Sequence, residues 1–433
     1  EESIPVVLPT NNIISKKDYR QFVCPFCGSK HGISLIGLRS TTVISALSSQ
    51  LYSSEFNDDK KLLAFSDNVQ DAAHRAGFFN YRTWKFSLRN AIQTFALSNN
   101  AVLPLDIFQK NLIRYWRDRL TDEEFVSFFI APNMTWMRAY ERMLKEGSLD
   151  NTAEANQLMD YIEKRVRYEV LLEYGLSSRV GRTLEKSGCS VINYDNEIVD
   201  EIIDRVKERG INELGVCGAS PPDIFKHMVI GFIYQMKING AFNDSIYNSF
   251  INEKGKEYML SNDKIKWMPG IRSGRIPRYI YKPNGINKRI WNFDNITLET
   301  RYSQWIYACI DEVMIPENIP QIISEIILSE LKRSEIVTEM PTPDDYKVYA
   351  LDKSKVYMST DITQFTCDKC GANISASQDN SVFWINAPCL RKNCDGRLYE
   401  SKEEELDYYG KLYSNDNKVR IIAREHTGLL DRN

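Results

Sequence analysis

Lys60-Lys61-Leu62-Leu63-Ala64-Phe65-Ser66-Asp67-Asn68-Val69-Gln70-Asp71-Ala72-Ala73-His74-Arg75-Ala76-Gly77-Phe78-Phe79 changes periodicity in mid-course. Leu62 to Phe65 form an uninterrupted apolar run, Ser66 and Asp67 break it, and Val69, Ala72, Ala73 and Ala76 then recur at helical spacing up to Gly77. A buried strand handing over to a helix through a short polar turn is half of a βα unit. In open α/β sheets ligands collect at the carboxyl ends of strands, beside the free N–H groups of a helix start. Ser66, Asp67, Gln70 and Asp71 occupy that place, so the cluster is positioned to meet a phosphate. The plain alternative is a strand end with an N-cap, because Ser and Asp cap helices whatever the function.

A second stretch far down the chain pairs with this one: Arg424-Glu425-His426-Thr427-Gly428-Leu429-Leu430-Asp431-Arg432, preceded by an apolar strand pattern over 418–424. The segment 65–73 resembles the strand-and-turn motif that opens the second RecA-like lobe of large superfamily 2 DEAD/DEAH-box helicases of the MrfA-like and Druantia-type phage-defence group. The segment 424–432 resembles the His-Thr-Gly-Leu motif after the next strand of that lobe. Gly181-Arg182-Thr183-Leu184-Glu185 to Ser187-Gly188 is similar to a further segment of the defence-type enzymes.

The resemblance implies an ATP-dependent DNA helicase or translocase whose two lobes close on ATP and Mg and step along a strand. Ser66, Asp67, Gln70, His74 and Arg75, with His426 and Thr427, are then candidates for strand contact or lobe coupling. No Gly-x-x-x-x-Gly-Lys-Ser/Thr occurs in the 433 residues, and the chain opens without Met. It is read as an internal piece of a longer protein that leaves the ATP-binding lobe outside, so ATP and Mg belong to the parent and this piece alone is inactive.

Length points to several packed units, and the apolar (43%) and charged (26%) fractions are those of a globular protein. A net charge of −3 gives no general attraction to nucleic acid, so such a site has to be a local patch. Apolar runs such as 228–234 are too short to cross a bilayer, so no membrane association is expected. Nine cysteines, six of them in clusters, favour metal over disulfides and a cytoplasmic protein.

Cys24-Pro25-Phe26-Cys27-Gly28 has the spacing of half a zinc knuckle, with His31 a candidate third ligand; a redox dithiol is the other use of that spacing. The stronger metal signal is Cys367-x-x-Cys370-Gly371 followed by Cys389 and Cys394-Asp395-Gly396. Two close pairs separated by residues 371–388 have the layout of a four-cysteine zinc ribbon, although the second pair encloses four residues rather than two. Four thiolates close the coordination sphere, so this zinc is structural and no catalysis is assigned to it.

Between the two lobe-like motifs the pattern is mainly helical. Helices are expected at 41–52, at 81–97 with Arg82, Lys85 and Arg89 on a solvated basic face, behind the Thr121/Glu124 capping box, and at 151–174. Another runs from a Ser220 cap to Asn239-Gly240, as a bundle helix or the start of a winged helix, and helical spacing resumes at 297–332. His227, Cys189, Cys217 and Cys309 are read as structural.

Residues 271–291 hold Arg272, Arg275, Arg278, Lys282, Lys288 and Arg289 without an acidic residue, interleaved with Tyr279, Tyr281 and Trp291. Cations that track phosphates and rings that stack bases suit a single strand.

The expected fold is α+β, mainly α-helical: a partial RecA-like lobe interrupted by a large helical insertion and a four-cysteine ribbon. In order these are a linker with the half knuckle (1–34), the first part of the lobe (35–80), the helical insertion (81–345), the β-rich ribbon (346–415) and the return to the lobe (416–433). The expected partners are nucleic acid, specifically DNA, and proteins of a defence system. A non-enzymatic zinc-stapled adaptor for nucleic acid or protein is the competing reading, the βα motif then being coincidental.

Overall fold

The computed structural model describes residues 40–54, 56–57, 69–98, 102–178, 183–214, 224–270, 276–283, 292–310, 316–340, 342, 346–391, 394–401, 406, 408–415 and 420–422; the side chains at 40–43, 53, 69–75 and 212–214 fall outside that description. The fold is α+β and mainly helical. Its helices are α1 (Ser40–Ser53), α2 (Val69–Ser98), α3 (Leu105–Arg117), α4 (Asp122–Phe129), α5 (Arg138–Glu146), α6 (Ala153–Tyr174), α7 (Asn196–Leu214), α8 (Ile224–Ile238), α9 (Asn248–Asn252), α10 (Arg301–Ile310), α11 (Ile319–Arg333) and α12 (Tyr408–Tyr413). The strands are β1 (Leu103–Pro104), β2 (Val191–Asn193), β3 (Tyr279–Pro283), β4 (Phe293–Asp294), β5 (Val337–Met340), β6 (Tyr346–Leu351), β7 (Tyr357–Ser359), β8 (Ile362–Cys367), β9 (Asn373–Ser377) and β10 (Leu398–Glu400). Among the described residues no helix is long and apolar enough to cross a membrane.

Helix α2 begins where the opening motif predicts, at Val69, but it does not stop at Gly77. It runs unbroken for 30 residues, merging with the helix expected at 81–97. A glycine in a helix interior costs about 1 kcal/mol, and the buried face beyond it, formed by Trp84, Leu88, Ala91, Ile92 and Phe95, outweighs that cost. Thr121 and Glu124 form the expected capping box at the start of α4, each side chain answering the other's backbone N–H. Thr152 caps α6 by accepting from the Ala155 N–H.

Helix α8 is the centre of the second half. Every residue in it except Lys226 is buried, and it packs as a bundle helix against α7, α10 and α11. Gly231 makes the contact with α10 close: a Cβ there would lie 2.1 Å from the Trp305 ring, whose Nε1 donates to the His227 carbonyl at 2.9 Å.

The strands expected at 346–358 do not belong to the cysteine ribbon. Strand β6 lies inside a sheet of order β4-β3-β6-β5, and β7 pairs with β1 and β2. Strand alternation identified the strands but not their partners, because pairing is decided by burial of the opposite face. Only β8, β9 and β10 form the ribbon's sheet, in the order β10-β8-β9.

At its far end the chain returns to α2. Tyr413 on α12 packs on Phe86, and its carbonyl accepts from Asn90 Nδ2 at 2.9 Å. Thr83 Oγ1 donates to the Ile421 carbonyl at 3.3 Å, and Arg420 Nη2 donates to Asn80 Oδ1 at 3.4 Å. The strand expected across 418–424 is not seen at residues 420–422, which are irregular. Leu62 to Phe65, its expected counterpart, lies outside the described residues, so a RecA-like sheet is not part of the described fold.

Candidate metal centre and charged seam

Strand β8 ends on Cys367, the chain reverses through Asp368 and Lys369, and Cys370 is brought back beside it. Gly371 takes the left-handed φ of +64° that this knuckle needs, with its N–H on the Cys367 carbonyl at 3.0 Å. The second knuckle is held against the first by backbone bonds: Cys389 N–H to the Gly396 carbonyl at 2.8 Å, and Leu398 N–H to the Ala387 carbonyl at 2.8 Å. The longer Cys389–Cys394 loop is folded by the Cys394 N–H on the Arg391 carbonyl at 3.3 Å.

These turns bring Cys367, Cys370, Cys389 and Cys394 together, with all four Sγ atoms within 4.8 Å of one another. Cys370 and Cys389 are 3.5 Å apart and Cys367 and Cys394 are 3.7 Å apart, sulfur to sulfur. Tetrahedral bonds of about 2.3 Å to one zinc put the sulfurs about 3.8 Å apart. The donor set therefore fits a metal ion and is compatible with zinc. Burial works against the Cys370 thiolate, but the Ala372 backbone N–H and the neighbouring thiols hold its pKa below the ordinary thiol value; burial pushes Cys389 and Cys394 up. Coordination by a metal reverses that burial penalty, because the ion's charge favours the thiolate.

Two supporting residues were not singled out from sequence. Asp368 Oδ1 accepts from the Arg397 N–H at 2.8 Å and ties the knuckles together. Gly396 is the one residue type that fits its position, since a Cβ would lie 2.5 Å from Cys367 Sγ and 2.7 Å from Asp368 Oδ1. The glycine two residues after Cys394 was the available signal.

The ribbon is fastened to the helical body. Ser377 Oγ donates to Asn193 Oδ1 at 2.7 Å, and Asn380 brackets Tyr194, accepting from its N–H at 2.8 Å and donating to its carbonyl at 2.9 Å. Ser375 Oγ donates to the Glu185 carbonyl at 2.5 Å. Trp384 meets Tyr234 edge-on with centroids 5.4 Å apart, and His227 Nε2 lies 3.0 Å from the Ile385 carbonyl, a buried structural histidine as expected.

A second cluster lies between α2 and α6. Lys85 and Arg89 are not on a solvated face. Lys85 pairs with Glu169, which also takes Arg165 Nε at 2.7 Å, and Arg89 Nε pairs with Glu173 at 2.8 Å. Each helix offers its charges four residues apart, so the pairs form in register across the seam. Arg165 further donates to Asn133 Oδ1 and to the Trp267 carbonyl, both at 2.8 Å, and Glu173 accepts the Leu184 N–H at 2.9 Å. Burial opposes the charge of Arg89, but Glu173 and Tyr413 more than offset it and its pKa is raised above the ordinary arginine value. Sequence could not separate this seam from a solvated one, because Lys and Glu at helical spacing read as surface until a partner helix is placed.

The remaining candidates divide as follows. Gln70, His74 and Arg75 fall in the first turns of α2, with their side chains outside the description. Ser66, Asp67, Arg272, Arg275, Arg289, His426, Thr427, Cys24 and Cys27 lie outside the described residues. Arg278 is described: its side chain is 57% exposed, with Nη1 3.9 Å from Asp294. Tyr279 and Tyr281, expected as stacking rings, are buried in β3, and the Tyr279 hydroxyl donates to the Phe242 carbonyl at 3.0 Å. Both rings enter the core because apolar burial of an aromatic side chain outweighs exposure for stacking.

Comparison with protein-family models, with curated proteins and with solved structures returned no match.

Proposed function

We propose that the chain belongs to an ATP-dependent DNA helicase or translocase of the MrfA-like and Druantia-type group, and that its described residues form a zinc-stapled helical insertion in the second RecA-like lobe. The supporting observation is the return to α2. The excursion that leaves this helix after Ser98 comes back to it through Tyr413, Arg420 and Ile421, as an insertion into a single lobe must. Zinc in the four-cysteine centre clamps the ribbon and thereby fixes the last leg of that return. The role of the insertion is strand guidance and binding of defence partners, while ATP and Mg act on the parent protein's other lobe.

Burial of Tyr279 and Tyr281 favours the second reading, a zinc-stapled adaptor, for this part of the molecule, since it removes two of the rings that a strand would stack on. Fluorescence anisotropy of a labelled single-stranded DNA over a salt series separates a strand-contacting chain from an adaptor for protein; ATP-binding motifs in the parent gene separate a helicase from an adaptor for nucleic acid. The helicase reading expects salt-sensitive binding, with Arg278→Ala weakening it and lowering the salt slope by about 1. Binding that is absent at low salt would leave the adaptor.

A further inference from the structure

We infer that the four-cysteine centre is a redox site: a hydroperoxide converts it to two disulfides, Cys370–Cys389 and Cys367–Cys394, which release the metal and staple the two knuckles in its place. Such a response belongs to the cysteine centre alone and is independent of the nucleic-acid reading.

Both close sulfur contacts cross from the first knuckle to the second, Cys370 to Cys389 at 3.5 Å and Cys367 to Cys394 at 3.7 Å. A disulfide needs about 2.0 Å, so each pair has to close by about 1.5 Å, within the reach of side-chain rotation. The backbone already holds the knuckles face to face. Asp368 N–H donates to the Arg397 carbonyl at 3.1 Å, Arg397 N–H returns to Asp368 Oδ1 at 2.8 Å, and Leu398 stands opposite Cys367 in the register of β10 on β8. The two bonds are nested, 370–389 inside 367–394, so both close without threading the chain through either loop.

Exposure divides each pair in the same way. Cys370 and Cys394 are half-buried, whereas Cys367 and Cys389 are 2% and 5% exposed. An oxidant therefore meets one sulfur of each pair, and the buried sulfur resolves the product. Cys370 Sγ attacks a peroxide oxygen, the O–O bond breaks, and a sulfenic acid forms while the other oxygen leaves as water or an alcohol. Cys389 Sγ then attacks the Cys370 sulfur, the S–S bond forms, the S–O bond breaks, and hydroxide leaves as water. Two electrons pass from the sulfurs to the hydroperoxide, and the protons come from the thiols, or from solvent where the metal holds them as thiolates. Cys394 and Cys367 repeat the step with a second hydroperoxide. Each disulfide removes two thiolate donors, so the set that held the metal is lost. Because each bond joins one knuckle to the other, the ribbon stays tied after the metal has gone.

The test treats the whole zinc-loaded chain with hydrogen peroxide, follows metal release with a chromogenic chelator, and maps the disulfides by non-reducing tryptic digestion and mass spectrometry. About two peroxides per centre are expected to release about one zinc, and a dithiol reductant with added zinc to reload it. Cleavage after Lys355, Lys369, Arg391, Lys392 and Arg397 leaves Cys367 on peptide 356–369, Cys370 and Cys389 on 370–391, and Cys394 on 393–397. The assigned pairing closes 370–391 on itself and joins 356–369 to 393–397; either other pairing of the four cysteines joins all three peptides. Hydrogen exchange in β8 and β10 is expected to stay slow in the oxidised, metal-free chain and to accelerate in a reduced chain stripped of zinc by a chelator. Zinc retained against excess peroxide, zinc released with sulfinic or sulfonic acids in place of disulfides, or the three-peptide product each overturns the site. A chain isolated without zinc overturns the switch together with the metal centre.

Discussion

Cys394→Ser is expected to release the metal and to melt the ribbon over residues 362–401 while leaving the helices around α2 and α6 folded. Three thiolates and a hydroxyl make a much weaker site than four thiolates, and structural zinc contributes about 10–16 kcal/mol of folding free energy in small zinc-finger peptides. Part of the ribbon's order comes instead from its contacts with the body, at Asn193, Tyr194 and Glu185, so the loss here is smaller but still several kcal/mol locally. Hydrogen exchange is expected to accelerate in β8, β9 and β10 and to stay slow in α8. Cys367→Ser should behave alike. A variant that keeps its full metal content, with exchange unchanged in the ribbon, would contradict the four-cysteine assignment.

Glu169→Ala should cost about 3–5 kcal/mol of stability, read as a lowered urea midpoint. The carboxylate is fully buried and answers two cations, Lys85 and Arg165, and its removal leaves both charges in the core without a partner. Arg165 keeps its bonds to Asn133 and Trp267, but these are neutral acceptors and its Nη2 is already without a hydrogen-bond partner among the described residues. Replacing Lys85 and Glu169 together by Met and Leu should recover much of the loss, because the expensive state is the unpaired charge rather than the absent pair. A loss below about 1 kcal/mol for Glu169→Ala would mean that the seam is wetter than its burial indicates.

How much of this was legible beforehand depends on whether a feature is local. The capping box at Thr121 and Glu124, the start of α2 at Val69 and the two cysteine knuckles are written in a few adjacent residues, and each is found where the spacing puts it. Gly77 misled because glycine signals a helix end only when the apolar face stops with it, and here that face continues through Trp84 and Leu88. Strands β6 and β7 were recognisable as strands, but their partners lie at 279–283, 337–340, 103–104 and 191–193, and no local pattern names them.

The charged features failed in the same way. Lys85 and Arg89 looked solvated because Glu169 and Glu173 are some eighty residues distant in sequence. The basic stretch at 271–291 combined two populations, an exposed Arg278 and the buried rings of Tyr279 and Tyr281, which strand alternation alone could not sort into inside and outside.

The most direct test of a zinc-stapled body is elemental analysis of the purified, unaltered chain after exhaustive dialysis. The account predicts about one zinc per chain held by Cys367, Cys370, Cys389 and Cys394, a content that falls by about one in Cys367→Ser. A chain that carries no zinc, with its four thiols freely titratable in the folded state, would contradict it.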